Sequence, residues 1–401
     1  MKIRPVILCG GAGTRLWDNP KKNPVKQFID FGNWTLFGRT LDRVNNPLFD
    51  SPIISTNKKY IKFVKKYLKK HKIKKFKIIV EPIRKNTGPA MLSTSLIKEI
   101  PNEQAIVFLS SDHLIDKTTL FNKSIKKSLP NLDKKNIFVF GIKPKNASDQ
   151  FGYFLTRRKK IFNKVYKFIE KPKISIAKKI IKQNGFWNSG IFLIRKDSLI
   201  NNFKRYENQI YLNCKKAVDK AKYKNNIFYL NIKEFKKNKS IPFDRAILEK
   251  SREINAIKLN IPWSDLGSWR EICLMFNKNK SKYFQRKNIF YKPWGKYINL
   301  FKGKNFLIKE IHVNPKGVLS LQKHFHRCEH WLITQGRPKI TLNNKTFIKK
   351  PKETIFIPIR AIHRISNPYK TPVKIIEAQL GSKLSENDII RYDDIYGRST
   401  E

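Results

Sequence analysis

Pro5-Val6-Ile7-Leu8-Cys9-Gly10-Gly11-Ala12-Gly13-Thr14-Arg15-Leu16 is the stretch on which the reading of the chain turns. Its apolar start reads as a buried strand that opens directly into three glycines, a Thr and an Arg. Glycine lets a backbone turn through positive φ and approach a ligand closely. Successive N–H groups in such a turn form a concavity for anions. A strand feeding this loop places a phosphate site at the carboxyl edge of a sheet, where α/β folds bind ligands. The third glycine of a dinucleotide fingerprint is replaced by Leu16, and no Gly-Lys-Ser/Thr follows as a P-loop requires. The loop alone predicts a nucleotide or a plain strand-to-helix connection.

The formal charge of the 401-residue chain is +55, which suits a nucleic-acid or anionic-membrane binder. Its lysines, however, run along the whole length. Tyr60, Phe63, Val64, Tyr67 and Leu68 recur at helical spacing, with Lys59, Lys62, Lys66, Lys69 and Lys70 mainly between them. That is the pattern of a solvated helix face. Attraction for anionic substrates is the milder consequence. Cys9, Cys214, Cys273 and Cys328 stand far apart, as in a reduced cytoplasmic protein. The N-terminal apolar run is too short for a signal peptide, and no stretch is long enough to span a bilayer. No specific nucleic acid and no membrane are expected as partners.

Beyond the loop, Lys26 and Arg15 are cations suited to a phosphate. Ile53–Thr56 and Phe76–Val80 read as strands separated by the lysine-rich helix, which predicts a parallel sheet. The second runs into Glu81-Pro82-Ile83-Arg84-Lys85-Asn86-Thr87. Glu81 could accept the N1–H and N2–H of a guanine edge, or the segment could be a helix start capped by Asn86 or Thr87. Ala105–Leu109 is a continuous apolar run and therefore a buried strand. It ends in Ser110-Ser111-Asp112-His113, where Asp112 could hold Mg²⁺ or merely shape a turn. Gly152-Tyr153 marks a turn, and Pro242–Lys250 opens a helix.

G-G-A-G-T-R-L-W, K-Q-F, E-P-x-x-x-N-T, S-D-H, F-I-E-K-P, W-N-S-G and W-S-D-L-G-S-W together resemble the mannose-1-phosphate guanylyltransferases, over residues 1–272. The resemblance implies a Rossmann-like nucleotide-diphospho-sugar transferase domain with a mixed, mainly parallel sheet. It implies that Gly10, Gly11, Gly13, Thr14 and Arg15 wrap the GTP phosphates with Lys26 beside them, and that Glu81, Asn86 and Thr87 of E-P-x-x-x-N-T also bind the nucleotide. Asp112 and Asp265 would share Mg²⁺, and Gly152, Glu170, Lys171 and Asn188 would hold the sugar phosphate. Two departures stand out: Val25 replaces the usual Pro before K-Q-F, and Trp17-Asp18-Asn19-Pro20-Lys21 replaces W-P-L-S-R. A sugar-phosphate oxygen is already anionic, so its attack on phosphorus needs charge neutralisation and positioning rather than a general base.

Residues 273–290 read as a linker, because Asn277–Lys287 is polar, lysine-rich and poor in pattern; the resemblance to bifunctional relatives implies that it is shortened. From residue 291 to 401 the pattern becomes short strands with turn signals, which predicts a small antiparallel barrel. Gln322 and His324 alternate on one strand face, Glu329 returns on the next strand, and His363 arrives later. Two His, a carboxylate and an amide make a divalent metal site with open positions. L-S-L-Q-x-H-x-H-R-x-E-H-W, I-P-x-x-x-x-H-R and D-I-I-R-Y-D-D-I-Y-G-R resemble the all-β cupin (jelly-roll) domain of mannose-6-phosphate isomerases. The resemblance implies that Gln322, His324, Glu329 and His363 hold a metal such as Zn²⁺ or Co²⁺. It leaves His326, Arg327, His330, Arg391 and Arg398 as candidates for proton transfer and phosphate binding. The family's usual Gly between the Pro and the His is Arg360 here.

The expected whole is a bifunctional cytoplasmic enzyme of GDP-mannose formation for polysaccharide synthesis. Its partners would be GTP, mannose 1-phosphate, and mannose 6-phosphate or fructose 6-phosphate. A transferase with a structural or regulatory cupin is the alternative reading, and a nucleic-acid binder is a rival from another class. A homo-oligomer is left open.

Overall fold

The computed structural model describes residues 2–11, 25–29, 34–158, 162–267, 289–303 and 305–397. The chain forms two compact units, with the division after the Trp263-Ser264-Asp265 segment falling at Asp265/Leu266.

The first unit is built on an 11-stranded sheet. Its strands are β1 (Arg4–Cys9), β2 (Ile53–Asn57), β3 (Lys77–Glu81), β4 (Ala105–Ser110), β6 (Ile137–Ile142), β7 (Tyr153–Arg158), β8 (Asn163–Ile169), β9 (Phe186–Arg195), β10 (Lys222–Lys224), β11 (Ile227–Tyr229) and β12 (Ile254–Leu259). Strands β5 (Leu114–Ile115) and β13 (Trp263–Ser264) form a separate two-residue ribbon. The sheet order is β10-β11-β3-β2-β1-β4-β9-β6-β12-β8-β7. Strands β3, β2, β1 and β4 are parallel, whereas β9 runs antiparallel to both β4 and β6. The sheet is therefore mixed, and the opening strand lies inside its parallel part, between β2 and β4.

The apolar runs explain that centre. On β1, Ile7 and Cys9 feed the core on one sheet face and Val6 the core on the other; Val107 and Leu109 alternate with Ile106 and Phe108 in the same way on β4. A strand buried on both faces has to be apolar at every position, and each large aliphatic side chain so buried contributes ~1.5–3 kcal/mol. The lysine-rich helix α2 (Ile61–Lys70) sits against this sheet with Val64, Tyr67 and Leu68 buried. Just beyond its end Lys72 adopts a left-handed conformation, which stops the helix before the next strand.

The second unit is a double antiparallel sheet. Strands β14 (Ile289–Lys292), β15 (Gly295–Lys302), β16 (Phe306–Val313), β18 (Arg327–Gln335), β21 (Thr354–Ile357) and β23 (Val373–Gly381) form one layer, in the order β14-β15-β16-β23-β18-β21. The other is β20-β19-β22-β17-β24, made of β17 (Leu321–His324), β19 (Lys339–Leu342), β20 (Lys345–Ile348), β22 (His363–Ser366) and β24 (Ile389–Asp393). Between them lie Trp294, Trp331, Ile333, Ile340, Ile357, Ile365 and Ile375. This is the jelly-roll arrangement expected of the strand spacing. Phe306–Val313, Lys339–Leu342 and Thr354–Ile357 are strands where the alternation places them. The five-stranded layer also holds β20, β22 and β24, which the sequence pattern does not single out.

Arg360 takes φ +68°, and its N–H donates to the His324 carbonyl at 2.7 Å. A left-handed position is where glycine costs least. The glycine usual at this place thus has a backbone reason, and Arg360 adopts the same geometry at a steric cost. Among the described residues, no helix is long and apolar enough to cross a membrane.

Candidate functional site

Strands β1 to β3 and β4 all end at one edge of the first sheet, at Cys9, Asn57, Glu81 and Ser110. A cleft of about 390 Å³ opens there, lined among others by Gly10, Gly11, Glu81, Asn86, Thr87 and Asp112. Five of the residues expected to bind nucleotide thus share one cavity. The bare Cα of Gly10 faces the Glu81 carboxylate: a Cβ built there would lie 3.7 Å from Oε1. Among the described residues, nothing lies within 4 Å of a Cβ built on Gly11. Gly13, Thr14 and Arg15 lie outside the described residues.

Glu81 is buried at the end of β3 and accepts a hydrogen bond from Ser55 Oγ at 2.6 Å. Burial pushes its carboxyl up to about 7, against the opposing pull of Ser55 and the Arg84 charge. Asn86 sits at φ +69° and caps helix α3 (Thr87–Ser95) by accepting from the Thr87 N–H at 2.9 Å. The helix start is therefore real, and the Glu81 carboxylate lines the cleft beside it. Thr87 Oγ1 accepts from the Phe243 N–H at 2.9 Å, which ties it to the structure.

Lys26 joins the two aspartates. Its Nζ, almost wholly buried, lies 2.9 Å from Asp112 Oδ2 and donates to the main-chain oxygen of Asp265. The ribbon of β5 and β13 explains the approach: Ser264 pairs with Leu114, so Asp265 arrives beside the Asp112-His113 corner. The His113 ring meets Trp263 edge-on at 5.4 Å and packs the ribbon. One carboxylate and one main-chain oxygen thus face a buried ammonium, and the Asp112 carboxylate is an oxygen donor of the kind that suits a hard cation such as Mg²⁺. Gln27, the middle residue of the K-Q-F motif, also lines the cleft and donates to the Gly11 carbonyl at 3.4 Å.

Gly152, Glu170, Lys171 and Asn188 also meet. Asn188 N–H donates to the Gly152 carbonyl at 2.8 Å, and Lys171 Nζ lies 3.9 Å from Glu170 Oε1. A Cβ on Gly152 would stand 2.6 Å from Glu170 Oε2, so glycine makes room for the carboxylate. The structure adds Asp244, which accepts from Asn188 Nδ2 at 2.5 Å. Burial raises Asp244 to about 6, and burial followed by the Asp244 charge raises Glu170 to about 7. Glu249 accepts from the Glu170 N–H at 2.9 Å. Residues Asp244–Leu248 form a single wide helical turn, so the expected helix is shorter than its sequence suggests.

In the second unit, His324, Glu329 and His363 are almost wholly buried, and their ligand atoms lie within 4.8 Å of one another. His324 Nε2 is 3.1 Å from Glu329 Oε1, and His363 Nε2 is 3.6 Å from Oε2. Each imidazole turns its Nδ1 to a backbone carbonyl, Asp388 at 3.3 Å and Ala361 at 2.9 Å. That arrangement fixes Nε2 as the ligating atom in metal-binding histidines. His363 Nε2 is buried and makes no hydrogen bond. Burial pushes His363 down to about 4, which keeps the imidazole neutral. Burial by itself would raise Glu329; His324, His363 and Arg327 override it and hold the carboxylate well below its usual range. The donor set fits a divalent ion. Gln322, paired in register with His363, lines the same cavity as Glu329.

The remaining barrel candidates divide. Arg327 is buried, with Nε 3.3 Å from Glu329 Oε1, and Arg391 lines the cavity. His326 instead turns outward, half exposed, with Nδ1 2.6 Å from Asp388 Oδ1. His330 lies on the face of β18 opposite Glu329 and packs against the Phe356 ring at 4.6 Å. Neither joins the cluster. Arg398 lies outside the described residues. Two residues missed by sequence reasoning complete the shell: Trp331 Nε1 and Gln379 Nε2 each donate to both Glu329 and Glu377.

A ligand cleft at the carboxyl edge of a 3-2-1-4 parallel strand set belongs to the nucleotide-handling α/β proteins, and the second unit is a cupin-like barrel. The chain belongs to the nucleotidyl transferase family, whose model matches residues 4–282, and residues 278–394 match the C-terminal region of mannose-6-phosphate isomerase. The alginate biosynthesis protein AlgA of Pseudomonas fluorescens is 29% identical over 99% of this chain and 97% of its own length. The mannose-1-phosphate guanylyltransferase RfbM of Salmonella typhimurium is 28% identical over 100% of this chain and 99% of its own. A crystal structure described as mannose-6-phosphate isomerase from Helicobacter pylori superposes with a TM-score of 0.58 at 25% identity. It covers 66% of this chain and all of that one.

Proposed function

We propose that the chain makes GDP-mannose. Its first unit joins mannose 1-phosphate to the GMP part of GTP with release of pyrophosphate, and its barrel interconverts fructose 6-phosphate and mannose 6-phosphate. The observation that carries the first half is the meeting of Lys26 with Asp112 and Asp265 beside the glycine turn. Mg²⁺ bound between the aspartates would neutralise phosphate charge. Lys26, drawn off Asp112, would then be available to a phosphate oxygen. Glu81 would accept from the guanine edge, and Glu170 and Asn188, with Asp244 behind, would hold the sugar while Lys171 takes its phosphate. The sugar-phosphate oxygen forms the new P–O bond at the α-phosphorus, and the bond to the departing pyrophosphate breaks.

In the barrel, a divalent ion held by Gln322, His324, Glu329 and His363 would polarise the sugar carbonyl. Trp331 and Gln379 fix the Glu329 oxygens so that the carboxylate presents its remaining lone pairs inward. We place the enzyme in the cytoplasm, in keeping with its phosphorylated substrates and with the free, buried thiols of Cys9 and Cys214. A nucleotide panel on the purified protein with mannose 1-phosphate tests the reading. Pyrophosphate release with GTP ahead of other triphosphates is expected, and none with any triphosphate overturns it. Isomerase turnover on metal-loaded protein tests the second half separately.

A further inference from the structure

The barrel cavity that contains Glu329 also carries cations that the metal cluster does not use. Lys309, Arg391 and Lys292 all line it. Lys309 is buried on β16, directly opposite Glu377 in the register of β16 and β23. Its Nζ lies 4.7 Å from the Tyr297 ring centroid, 3.9 Å from Glu377 Oε1 and 3.4 Å from Glu386 Oε1. Arg391 stands on β24, with a terminal nitrogen 4.0 Å from the second oxygen of that same Glu386. The Arg391 Nε is buried and makes no hydrogen bond. Glu386 itself is 44% exposed and sits on the short turn Glu386–Asp388.

One carboxylate thus spans a lysine and an arginine, with each contact long for a charge-assisted hydrogen bond. A half-exposed ion pair of that length is weak and easily exchanged. A phosphate monoester offers three oxygens and nearly two charges to the same two cations, and it can reach both at shorter range. We infer that Lys309 and Arg391 form the seat for a sugar-phosphate dianion on the wall of the barrel cavity, and that Glu386 stands in for this anion in the free protein. The assignment rests on the isomerase reading for the identity of the ligand, since it puts the phosphate and the carbonyl end of one substrate in one cavity. Lys309 is buried with its ammonium over the Tyr297 ring, so removal of Glu386 leaves the lysine in place.

The sign of one substitution separates this from a structural salt bridge. Fructose 6-phosphate is titrated calorimetrically into the full, metal-loaded chain, with GDP-mannose saturating the other site. Glu386→Gln removes the internal competitor and should tighten binding by about threefold to fivefold, the weight of one exposed ion pair. Lys309→Met should weaken it at least about tenfold. Unphosphorylated fructose should respond to neither change. Unchanged or weaker binding in Glu386→Gln, or no binding to the unaltered protein, overturns the seat. Tightening in Glu386→Gln without any turnover would keep the seat and sink the isomerase reading. Turnover with an indifferent Glu386→Gln would do the reverse.

Discussion

Glu81→Gln should stabilise the protein and damage its choice of base at once. The carboxyl ionises near 7 in the fold because it is buried, against about 4.5 for an ordinary glutamate. Between those values the folded chain holds a proton that the unfolded chain has released, so stability falls as pH rises through this window. The full penalty, about 2.5 pH units or roughly 3 kcal/mol, is present above pH 7 and absent below about 4.5. Glutamine escapes it and can still accept from Ser55. The variant should therefore melt several degrees higher at pH 8.5 and close to the unaltered protein at pH 5. The base contact moves the other way. An amide can accept one guanine N–H but opposes the second with its own N–H, a loss of about 2 kcal/mol or roughly 30-fold in kcat/KM for GTP. The preference for GTP over ITP, which lacks the 2-amino group, should collapse. An unchanged GTP-to-ITP ratio would refute the role of Glu81 as reader. A melting difference independent of pH would refute the burial argument.

His324→Ala should empty the barrel of metal, read by elemental analysis, and leave pyrophosphate release intact; retained metal would sink the ligand set. Gly152→Ala places a methyl group 2.6 Å from Glu170 Oε2. It should raise KM for mannose 1-phosphate several-fold with KM for GTP unmoved, and a change in both would mean a general distortion. Asp244→Ala should produce the same selective rise by releasing the Asn188 amide, and Asp244→Asn, which can still accept that hydrogen bond, should restore most of the affinity.

The local features of this chain were legible because strand ends announce themselves. Gly10 and Gly11, Glu81 and Asp112 each follow an apolar run, and the parallel edge brings them to one cleft. The Gln322–His324 alternation and the return of Glu329 were legible for the same reason, as a two-residue period leaves few choices. That period also argues against His330, whose neighbour Glu329 already takes the inward face. Other parts depend on tertiary contacts that leave no pattern. The Asp112–Asp265 approach hangs on a ribbon two residues long on each side. Asp244 looks like an ordinary helix start, and only its burial beside Asn188 reveals it. Lys309 is one cation among 85 and is distinguished solely by the strand facing it.

The most direct test of the account is whether two aspartates distant in sequence hold one cation. Mn²⁺ binding in the presence of GTP, followed by electron paramagnetic resonance in a His324→Ala background, isolates the first unit. Asp112→Asn and Asp265→Asn should each weaken it at least about tenfold, and the double variant should be little worse than the poorer single one, as for a shared ligand pair. Wild-type Mn²⁺ affinity in either single variant would contradict the shared site and remove the mechanism proposed for the transferase.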